Sequence, residues 1–362
     1  MTGVGLFDSF ELGDLQLPNR IVMSPLTRNR VVPGEDAPRD IVAEHYSQRA
    51  SAGLLITEGV VVSAGGRGYV STPGIYSDRQ VNAWRTVVDR VHDSGGRIMS
   101  QLWHVGRMSH PMFLDGYSAP VGPSPIQADA KVYLPHGSTR PHLPRELTTA
   151  EIGAIVEDFG GAARNARLAG FDGVEIHGSN GYLIDQFLHD GSNSRTDRYG
   201  GAIENRARLA LEIVDAVTRE FPASRVGMRI APVSTHNDMT DSDPQSLFEY
   251  VVTELGRRGI GFIDVIEGQL GGSREFGQLD YVRLRELFGG AYISSNGHDR
   301  ESAANMLASG SADLVSFGRA FIANPDLVER LRRGSDLNEP ERSTFYFGGP
   351  RGYTDYPQSV MA

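Results

Sequence analysis

The chain has 362 residues, of which 40% are hydrophobic and 22% are charged, so it can bury a full-sized core and form one large domain or two. Its formal net charge is −10 and it has no block of Lys or Arg, which argues against nucleic acid or an anionic membrane as its main partner. It contains no cysteine, which excludes disulfides, thiolate catalysis, and iron–sulfur or zinc sites that need thiolate ligands.

The N-terminal segment lacks a basic stretch followed by an apolar run, and no part of the chain is apolar over the length of a membrane span. We therefore predict a cytoplasmic protein. The first predicted element is a hairpin, because the residues from Phe10 to Leu17 alternate in polarity around Gly13 and Asp14. This hairpin should close the floor of the domain that follows.

Short apolar runs then alternate with amphipathic helical segments, which is the pattern of repeated βα units and a parallel sheet. The eight predicted strands cover residues 20–23, 54–57, 97–102, 173–177, 226–230, 262–266, 292–295 and 314–317. Each run is almost continuously apolar, as expected of strands that are buried on both faces. Among the helices, one is predicted over 149–169 and another over 243–258, with Pro244 in its first turn.

Eight such units with no change of composition predict a single (β/α)8 TIM barrel, taken as one domain over residues 1–362. A doubly wound open sheet is the alternative, but no G-x-G-x-x-G pattern lies between a strand and a helix. Residues 103–148 interrupt the repeat with a proline-rich excursion, which we predict to be a lid over the active-site face. The aromatic and glycine-rich C-terminal tail, residues 340–362, should be ordered against the barrel.

In such a barrel the residues at the carboxyl ends of the strands surround one pocket. Here they are Pro25, Leu26, Thr27, Glu58, Gly59, Gln101, Trp103, His177, Asn180, Tyr182, Arg229, Asn296, Gly297, Gly318 and Arg319. A glycine that opens a helix after strand seven, with Gly-Arg after strand eight, predicts a phosphate site of backbone N–H groups and one guanidinium. Together with the hydroxyl of Thr27, the amide of Gln101 and the charge of Arg229, this ring fits flavin mononucleotide (FMN).

Strand four ends in the sequence Gly173-Val-Glu-Ile-His177-Gly-Ser-Asn180-Gly-Tyr182, which brings three hydrogen-bonding side chains to one strand terminus. If the chain turns helically there, His177 and Asn180 can donate to one oxygen atom while Tyr182 approaches it from another side. Two donors on an oxygen beside a phenol suggest carbonyl activation followed by protonation. An isolated motif of this kind is more often a core histidine and a packing tyrosine, so its weight comes from the rest of the ring.

Several longer motifs resemble those of the Old Yellow Enzyme family. They are Ser24-Pro-Leu-Thr-Arg28, Gln101-Leu-Trp-His104, Arg195-Thr-Asp-Arg-Tyr-Gly-Gly201, Glu204-Asn-Arg206, Phe317-Gly-Arg-Ala-Phe-Ile-Ala-Asn-Pro-Asp326 and Gly352-Tyr-Thr-Asp-Tyr-Pro357. The resemblance covers essentially the whole chain and is closest to the bacterial branch of nitrate-ester and N-ethylmaleimide reductases. It implies an FMN-containing, NAD(P)H-dependent ene-reductase with a ping-pong cycle, in which nicotinamide reduces the flavin and leaves before an electron-poor alkene binds.

The resemblance also implies a role for each residue of the ring. His177 and Asn180 would bind the activating carbonyl or nitro oxygen, hydride would pass from flavin N5 to the β-carbon, and Tyr182 would protonate the α-carbon. The residues expected to hold FMN are Pro25, Leu26, Thr27, Gly59, Gln101, Arg229, Asn296, Gly297, Gly318 and Arg319. Tyr69, Trp103 and Tyr346 are expected to contact substrate, with packing roles for the tyrosines and a place in the barrel wall for Trp103 left open. No metal site is expected.

One departure from the family lies in the tail, where the usual Phe-Tyr-Gly-Gly-Gly appears as Phe345-Tyr346-Phe347-Gly348-Gly349. Two functional alternatives stay open: nitrate-ester or nitro-compound reduction as the main activity, and storage of a flavin or another ligand without turnover. A thioester-reducing relative and an aldolase are excluded, because the chain has no cysteine for an iron–sulfur cluster and no lysine at a strand end. The expected partners are small electron-poor alkenes, and the protein should be a monomer or homodimer.

Overall fold

The structure is a computed structural model that describes residues 4–359. Its strands are β1 (Phe10–Leu12), β2 (Leu15–Leu17), β3 (Ile21–Met23), β4 (Leu54–Val61), β5 (Ile98–Trp103), β6 (Val121–Gly122), β7 (Val132–Leu134), β8 (Gly137–Thr139), β9 (Arg145–Glu146), β10 (Gly173–Gly178), β11 (Val226–Ile230), β12 (Phe262–Ile266), β13 (Ala291–Ser295) and β14 (Leu314–Phe317). Its α-helices are α1 (Asp40–Ser47), α2 (Asp78–Asp93), α3 (Thr149–Ala169), α4 (Leu183–Leu188), α5 (Ile203–Arg206), α6 (Arg208–Val217), α7 (Pro244–Arg257), α8 (Tyr281–Phe288), α9 (Arg300–Ala308), α10 (Arg319–Ala323) and α11 (Leu327–Arg333).

Eight parallel strands close into a barrel in the order β10, β11, β12, β13, β14, β3, β4 and β5. The predicted TIM barrel is therefore confirmed, and every predicted strand is present. Strand β4 runs further than predicted, to Val61, with an irregular register against β5 between Ile56 and Gly59. As a result, Glu58 and Gly59 lie inside the strand and not in the loop after it.

The N-terminal hairpin of β1 and β2 closes the floor of the barrel. Its side chains Leu12, Leu15 and Leu17 are buried in one apolar cluster with residues of the barrel interior, among them Val22 and Met99. At the turn, Asp14 accepts a hydrogen bond from Nε of Arg225 at 2.8 Å. The position predicted for this hairpin is confirmed, and the opposite end of the barrel is left free for ligands.

The helix boundaries follow the capping signals in the sequence. Helix α3 begins with a capping box in which Thr148 and Glu151 each bond the other's backbone N–H. It ends at Gly170, whose φ of 92° is favourable only for glycine. Asp243 caps α7 and Pro244 occupies its first position. Both predicted helices are present. Within residues 4–359, no helix combines the length and the apolar composition of a membrane span.

The excursion and the tail both pack on the carboxyl-terminal side of the barrel. The excursion contains β6 to β9, and its buried Arg107 donates to the carbonyl of Asp238 at 2.8 Å. The tail is held by two buried arginines: Arg28 donates to the carbonyl of Phe345 at 2.8 Å, and Arg30 donates to that of Thr344 at 2.8 Å. Both segments therefore contribute walls to the cavity at this end.

Candidate active site

A cavity of about 1300 Å³ opens at the carboxyl ends of the barrel strands. Every residue predicted above to bind FMN, to contact substrate or to act in catalysis lines it. The barrel end, the excursion and the tail all contribute to the wall. The volume exceeds the roughly 300–1,000 Å³ that is usual for one small ligand, so the cavity has room for a cofactor and a substrate together. The structure thus brings the predicted residues into one place, while their individual roles remain predictions.

The His177 side chain is fixed as a neutral hydrogen-bond donor. It lies near the end of β10, and its Nδ1 is 3.1 Å from the hydroxyl oxygen of Ser179. Ser179 is fully buried, and its hydroxyl proton has no other acceptor among residues 4–359. The pairing that leaves no buried donor unsatisfied therefore has Ser179 donate to Nδ1, which places the imidazole proton on Nε2. Burial, together with the charge of Arg229, holds the pKa of His177 well below its ordinary value. The ring therefore offers a neutral N–H to the cavity.

The segment after His177 is a left-handed turn and not the helical turn that we expected. Asn180 has φ 61° and Gly181 has φ 72°, and α4 begins only after Tyr182. A Cβ atom on Gly181 would lie 2.7 Å from that of Asn237, so the turn needs glycine for its space as well as for its φ. His177 and Asn180 still line the same cavity, but a turn brings them there and not one face of a helix.

Three side chains hold this turn, of which Asp185 and Gln186 are buried and Asn237 is half-buried, and sequence reasoning missed all of them. The amide of Asn237 donates to the carbonyl of Asn180 at 2.8 Å. Asp185 accepts from the N–H of Gly181 at 2.8 Å, and Gln186 donates to the carbonyl of Gly181 at 2.7 Å. Asp185 and Gln186 belong to the first helix after the turn, which is a local signal that could have been found. Asn237 lies in the loop after β11, and only the barrel closure brings it here.

Several aromatic side chains lie around Tyr182. The Tyr182 ring meets Trp103 edge-on at a centroid distance of 5.0 Å and His177 at 5.1 Å. Its hydroxyl oxygen lies 3.0 Å from that of Tyr69, whose ring stacks on Trp103. Burial raises the pKa of Tyr69 to about 12 and raises that of Tyr182 well above its ordinary value. Both phenols are therefore protonated at neutral pH, as a proton donor must be.

Trp103 faces the cavity and not the barrel wall. Its ring also accounts for Gly59 on the neighbouring strand, because a Cβ atom there would lie 2.6 Å from the indole. Gly59 is predicted above to contact FMN, and the ring that it accommodates in this structure is that of Trp103. Glu58, its neighbour, is buried away from the cavity beside Arg28.

A polar layer at the barrel mouth carries Gln101 and Arg229. The amide nitrogen of Gln101 donates to Glu175 at 2.8 Å, which leaves its oxygen as an acceptor toward the cavity. Arg229 is ion-paired with Asp264 and donates to the hydroxyl of Ser295 at 3.1 Å. A hydrogen-bond acceptor beside a cationic donor suits the imide edge of a flavin ring, which carries an N–H between two carbonyls.

The predicted phosphate site has a different local structure from the one expected. Helix α9 begins at Arg300 and is capped by the carboxylate of Asp299, so Gly297 does not open it. Instead, Asn296 and Gly297 form a left-handed turn with φ values of 99° and 74°. The Asn296 side chain is used within the protein, because its amide donates to the carbonyl of Glu267 at 2.8 Å. This turn therefore presents its backbone groups to the cavity.

Gly318 and Arg319 complete this end of the cavity. Gly318 directly precedes α10, as predicted, and the Arg319 side chain is exposed into the opening. Among residues 4–359, Arg319 has no ion-pair or hydrogen-bond partner for its guanidinium. An unpaired guanidinium beside glycine backbone is a suitable phosphate ligand. This donor set and the polar layer fit the two ends of FMN.

Residues 5–338 match the profile of the NADH:flavin oxidoreductase / NADH oxidase family. The chain is 44% identical over 361 residues to a putative 12-oxophytodienoate reductase 2 of Oryza sativa subsp. japonica, covering 98% of this chain and 94% of that relative. It is 42% identical over 364 residues to 12-oxophytodienoate reductase 2 of Arabidopsis thaliana, covering 98% and 96%.

Solved structures give the same result. The structure of morphinone reductase in complex with tetrahydroNAD is similar with a TM-score of 0.93 and 45% identity, covering 98% of this chain and 97% of that one. The old yellow enzyme homologue from Zymomonas mobilis has a TM-score of 0.93 and 40% identity, with 98% and 99% covered. Sequence profile, curated relatives and structures thus agree over nearly the whole chain.

Proposed function

The chain belongs to the NADH:flavin oxidoreductase / NADH oxidase family, the family of the Old Yellow Enzyme, and on that premise we propose that it reduces activated C=C bonds at an FMN held in its cavity. The electrons would come from NADPH or NADH, and the acceptors would be α,β-unsaturated carbonyl or nitro compounds. The observation that carries this proposal is the convergence of three neutral donors, His177, Asn180 and Tyr182, on one cavity.

His177 and Asn180 are proposed to bind the oxygen of the electron-withdrawing group. Reduction of the alkene builds negative charge on that oxygen, so donors that are already oriented stabilise the transition state more than the ground state. Nε2–H of His177 is fixed by Ser179, and the Asn180 turn is fixed by Asn237, Asp185 and Gln186. Neither donor has to reorganise as charge develops, and neither can lose its proton to the substrate at neutral pH.

Tyr182 is proposed to deliver the proton to the α-carbon. Its phenol is neutral and lies edge-on to His177, so a substrate oxygen held by His177 leaves carbon atoms of the same substrate near the hydroxyl. A phenol is a weak acid, but the carbon that it protonates is strongly basic once the substrate has been reduced. Trp103 and Tyr69 pack against this phenol and limit how a substrate can lie.

FMN would be held by Thr27, Gln101 and Arg229 at the ring and by the backbone at Gly297 and Gly318 with Arg319 at the phosphate. When bound, FMN supplies the hydride that the substrate accepts. The Thr27 hydroxyl makes no hydrogen bond to another residue of the 4–359 range, so it is free to bond a ring atom. Pro25, Leu26 and Gly59 complete the wall beside it, and Tyr346 lies at the mouth.

The branch of the family and the preferred class of acceptor are the finer parts of this proposal. The motifs resemble the branch of nitrate-ester and N-ethylmaleimide reductases, whereas the relatives named above are 12-oxophytodienoate and morphinone reductases, so the branch stays a prediction. Nitro compounds and nitrate esters present oxygen atoms of the same kind to His177 and Asn180. Reduction of such compounds is therefore the second candidate activity.

An anaerobic absorbance experiment on the purified protein tests the proposal. The flavin spectrum should be present, should bleach with NADPH or NADH, and should return on addition of cyclohexenone. A flavin that bleaches but is reoxidised only by a nitrate ester or a nitro compound would favour the second activity. A flavin that no acceptor reoxidises would support ligand storage without turnover, and a protein that binds no flavin would refute the proposal.

A further inference from the structure

Two buried carboxyl groups lie side by side beneath the polar layer of the cavity. Glu175 is on β10 and Asp264 is on β12, and both side chains are completely buried. Strand β11 lies between them, so Arg229 pairs in register with Asp264 on one side and with His177 on the other. The two carboxyl groups are within hydrogen-bonding reach of one another. Such a pair cannot hold two negative charges without a large energetic cost.

The hydrogen bonds of this pair leave one oxygen unpaired on each side. Oε1 of Glu175 accepts from the amide of Gln101 at 2.8 Å, and Oδ2 of Asp264 is bonded to Nη1 of Arg229. Oε2 of Glu175 and Oδ1 of Asp264 are buried and have no hydrogen-bond partner among residues 4–359. Two ionised groups would leave two charged oxygens unsatisfied, whereas one shared proton satisfies both.

The proton belongs on Glu175 and not on Asp264. Asp264 has the guanidinium of Arg229 as its direct partner, while Glu175 is bonded only to the neutral amide of Gln101. Burial and the negative charge of Asp264 both raise the pKa of Glu175 well above its ordinary value. The remaining neighbours, Ser295 from β13 and a neutral His177, supply no further positive charge.

We propose that Glu175 is a protonated glutamic acid that donates from Oε2 to Oδ1 of Asp264 and thereby positions both Gln101 and Arg229 at the cavity. The inference rests on the proposed function in one respect, namely that these two side chains contact FMN. Glu175 does not reach the cavity itself, so it is a positioning residue. It ties Gln101 on β5 to Asp264 and Arg229 in one continuous chain of hydrogen bonds.

Two consequences follow from the protonated state. The Gln101 amide keeps its nitrogen toward Glu175 and its oxygen toward the cavity, which fixes that position as an acceptor. Arg229 is balanced by one carboxylate and not by two, so its remaining donors keep their attraction for a ligand edge that becomes negative. An ionised Glu175 would weaken that attraction.

Infrared spectroscopy of the protein without FMN tests the protonation directly. At mildly alkaline pH the wild-type protein should retain a protonated-carboxyl C=O stretch that shifts in D2O, and Glu175→Gln should lack it. Glu58→Gln is the matched control, because Glu58 is also buried with a raised pKa but lies away from this pair. If the Glu175→Gln spectrum retains every carboxyl band of the wild type, the proposal is overturned.

Binding of FMN tests the positioning role. Glu175→Gln can still accept from Gln101 and donate to Asp264, so its dissociation constant for FMN and its flavin midpoint potential should stay close to wild type. Glu175→Leu can do neither, and its dissociation constant should rise about tenfold or more. A folded Glu175→Gln protein that binds FMN as weakly as Glu175→Leu, or tenfold more weakly than wild type, would show that an ionised glutamate is required.

These results separate the inference from the proposed function. The infrared band is read without FMN, so it reports on Glu175 whether or not the cavity binds a flavin. A wild-type protein that shows the band but binds no FMN refutes the proposed function and leaves the protonated pair in place. If the wild-type protein binds FMN but lacks the band, the protonated pair is refuted and the proposed function stays in place.

Discussion

The hydroxyl oxygens of Tyr69 and Tyr182 lie 3.0 Å apart, so the proposed proton donor is itself hydrogen-bonded to a second phenol. Tyr69 comes from the loop after β4 and Tyr182 from the turn after β10, so two separate parts of the barrel mouth meet at this contact. In the proposed mechanism, the Tyr69 hydroxyl can donate to the phenolate that remains once Tyr182 has given up its proton. The second phenol would then lower the cost of that transfer.

Replacement of Tyr182 by Phe should slow the reoxidation of reduced flavin by cyclohexenone by on the order of a hundredfold or more, because the general acid is lost. Reduction of the flavin by nicotinamide needs no proton from this group and should be nearly unchanged. Stopped-flow absorbance measures the two half-reactions separately. Tyr69→Phe is the matched comparison and should give a smaller loss in the same half-reaction. Equal losses in both half-reactions of Tyr182→Phe would contradict the assigned role.

A second prediction concerns Asn237, whose side chain holds the carbonyl of Asn180 and also lies beside the Tyr182 hydroxyl, so its role in ligand binding is read from phenol affinity and not from turnover. Asn237→Gly removes the 2.8 Å bond to the Asn180 carbonyl while leaving residue 237, at φ 59°, free of new backbone strain. Loss of a hydrogen bond at a half-buried carbonyl costs about 1 kcal/mol, and the turn that carries Asn180 should loosen. Affinity for a phenol bound beside the flavin should fall about tenfold.

The measurement for Asn237 is a phenol titration followed by the flavin absorbance. Asn180→Gly is the reference, because it removes the side-chain donor, suits φ 61° and keeps the backbone carbonyl that Asn237 bonds. The two variants should weaken phenol binding in the same direction, and Asn237→Gly should lose more stability. An unchanged phenol affinity in a folded Asn237→Gly protein would show that the turn does not depend on this contact.

The barrel could be predicted because its strands are continuous apolar runs whose burial is set by the fold class. The strand predicted over residues 54–57 was too short, because Glu58 and Gly59 interrupt the apolar pattern. In the structure β4 continues to Val61. The cavity residues at the strand ends could also be predicted, because strand ends in a barrel converge, whereas those that the excursion contributes, such as Asp129 and Tyr133, could not. What could not be predicted was the contact of Asn237 with the turn at Asn180, since the two residues are 57 positions apart in the sequence.

The pairing of the buried carboxyl groups could not be predicted from the sequence either. Glu175 and Asp264 stand alone in apolar strands, and each could equally face a helix or the barrel interior. Only the register of β10, β11 and β12 brings them together beneath Arg229. The prediction that a helix begins at Gly297 was also wrong. The carboxylate of Asp299, two residues later, caps α9 and sets where that helix begins.

Phe347 occupies a conformation that suits the glycine found in related tails. Its φ is 62°, its backbone N–H donates to the carbonyl of Arg28 at 3.1 Å, and its side chain is 47% exposed. A left-handed backbone costs a non-glycine residue roughly 1–2 kcal/mol. Phe347→Gly should therefore be more stable than Phe347→Ala by about 1 kcal/mol, because alanine keeps the strain and glycine relieves it.

Chemical denaturation of the two Phe347 variants, both saturated with FMN, measures this difference. Both lack the phenyl ring, so their comparison isolates the backbone contribution from any contact that the ring makes. An alanine variant as stable as the glycine variant would mean that the tail relaxes away from φ 62° when the ring is removed.

The last prediction is a pH dependence that arises from Glu58 beneath the tail. The carboxyl group is completely buried, and one oxygen accepts from the N–H of Arg28 at 3.3 Å while the other has no partner in the described part of the chain. Burial raises the pKa of Glu58 from 4.5 to about 7. Between these values the unfolded chain releases the proton and the folded protein keeps it. Stability from this group is therefore complete below pH 4.5 and is lost as the pH rises through about 7.

The loss should be on the order of 3 kcal/mol at most across this window. In Glu58→Gln the side chain at position 58 stays neutral at every pH, so this loss of stability should be absent. The free energy of unfolding should therefore fall more steeply with pH in the wild type than in Glu58→Gln, measured by urea denaturation at fixed FMN concentration. Every other titrating group is common to both proteins, so the difference between the two curves reports on Glu58 alone. Parallel curves from pH 4.5 to 7 would mean that the buried carboxyl titrates as it does in the unfolded chain.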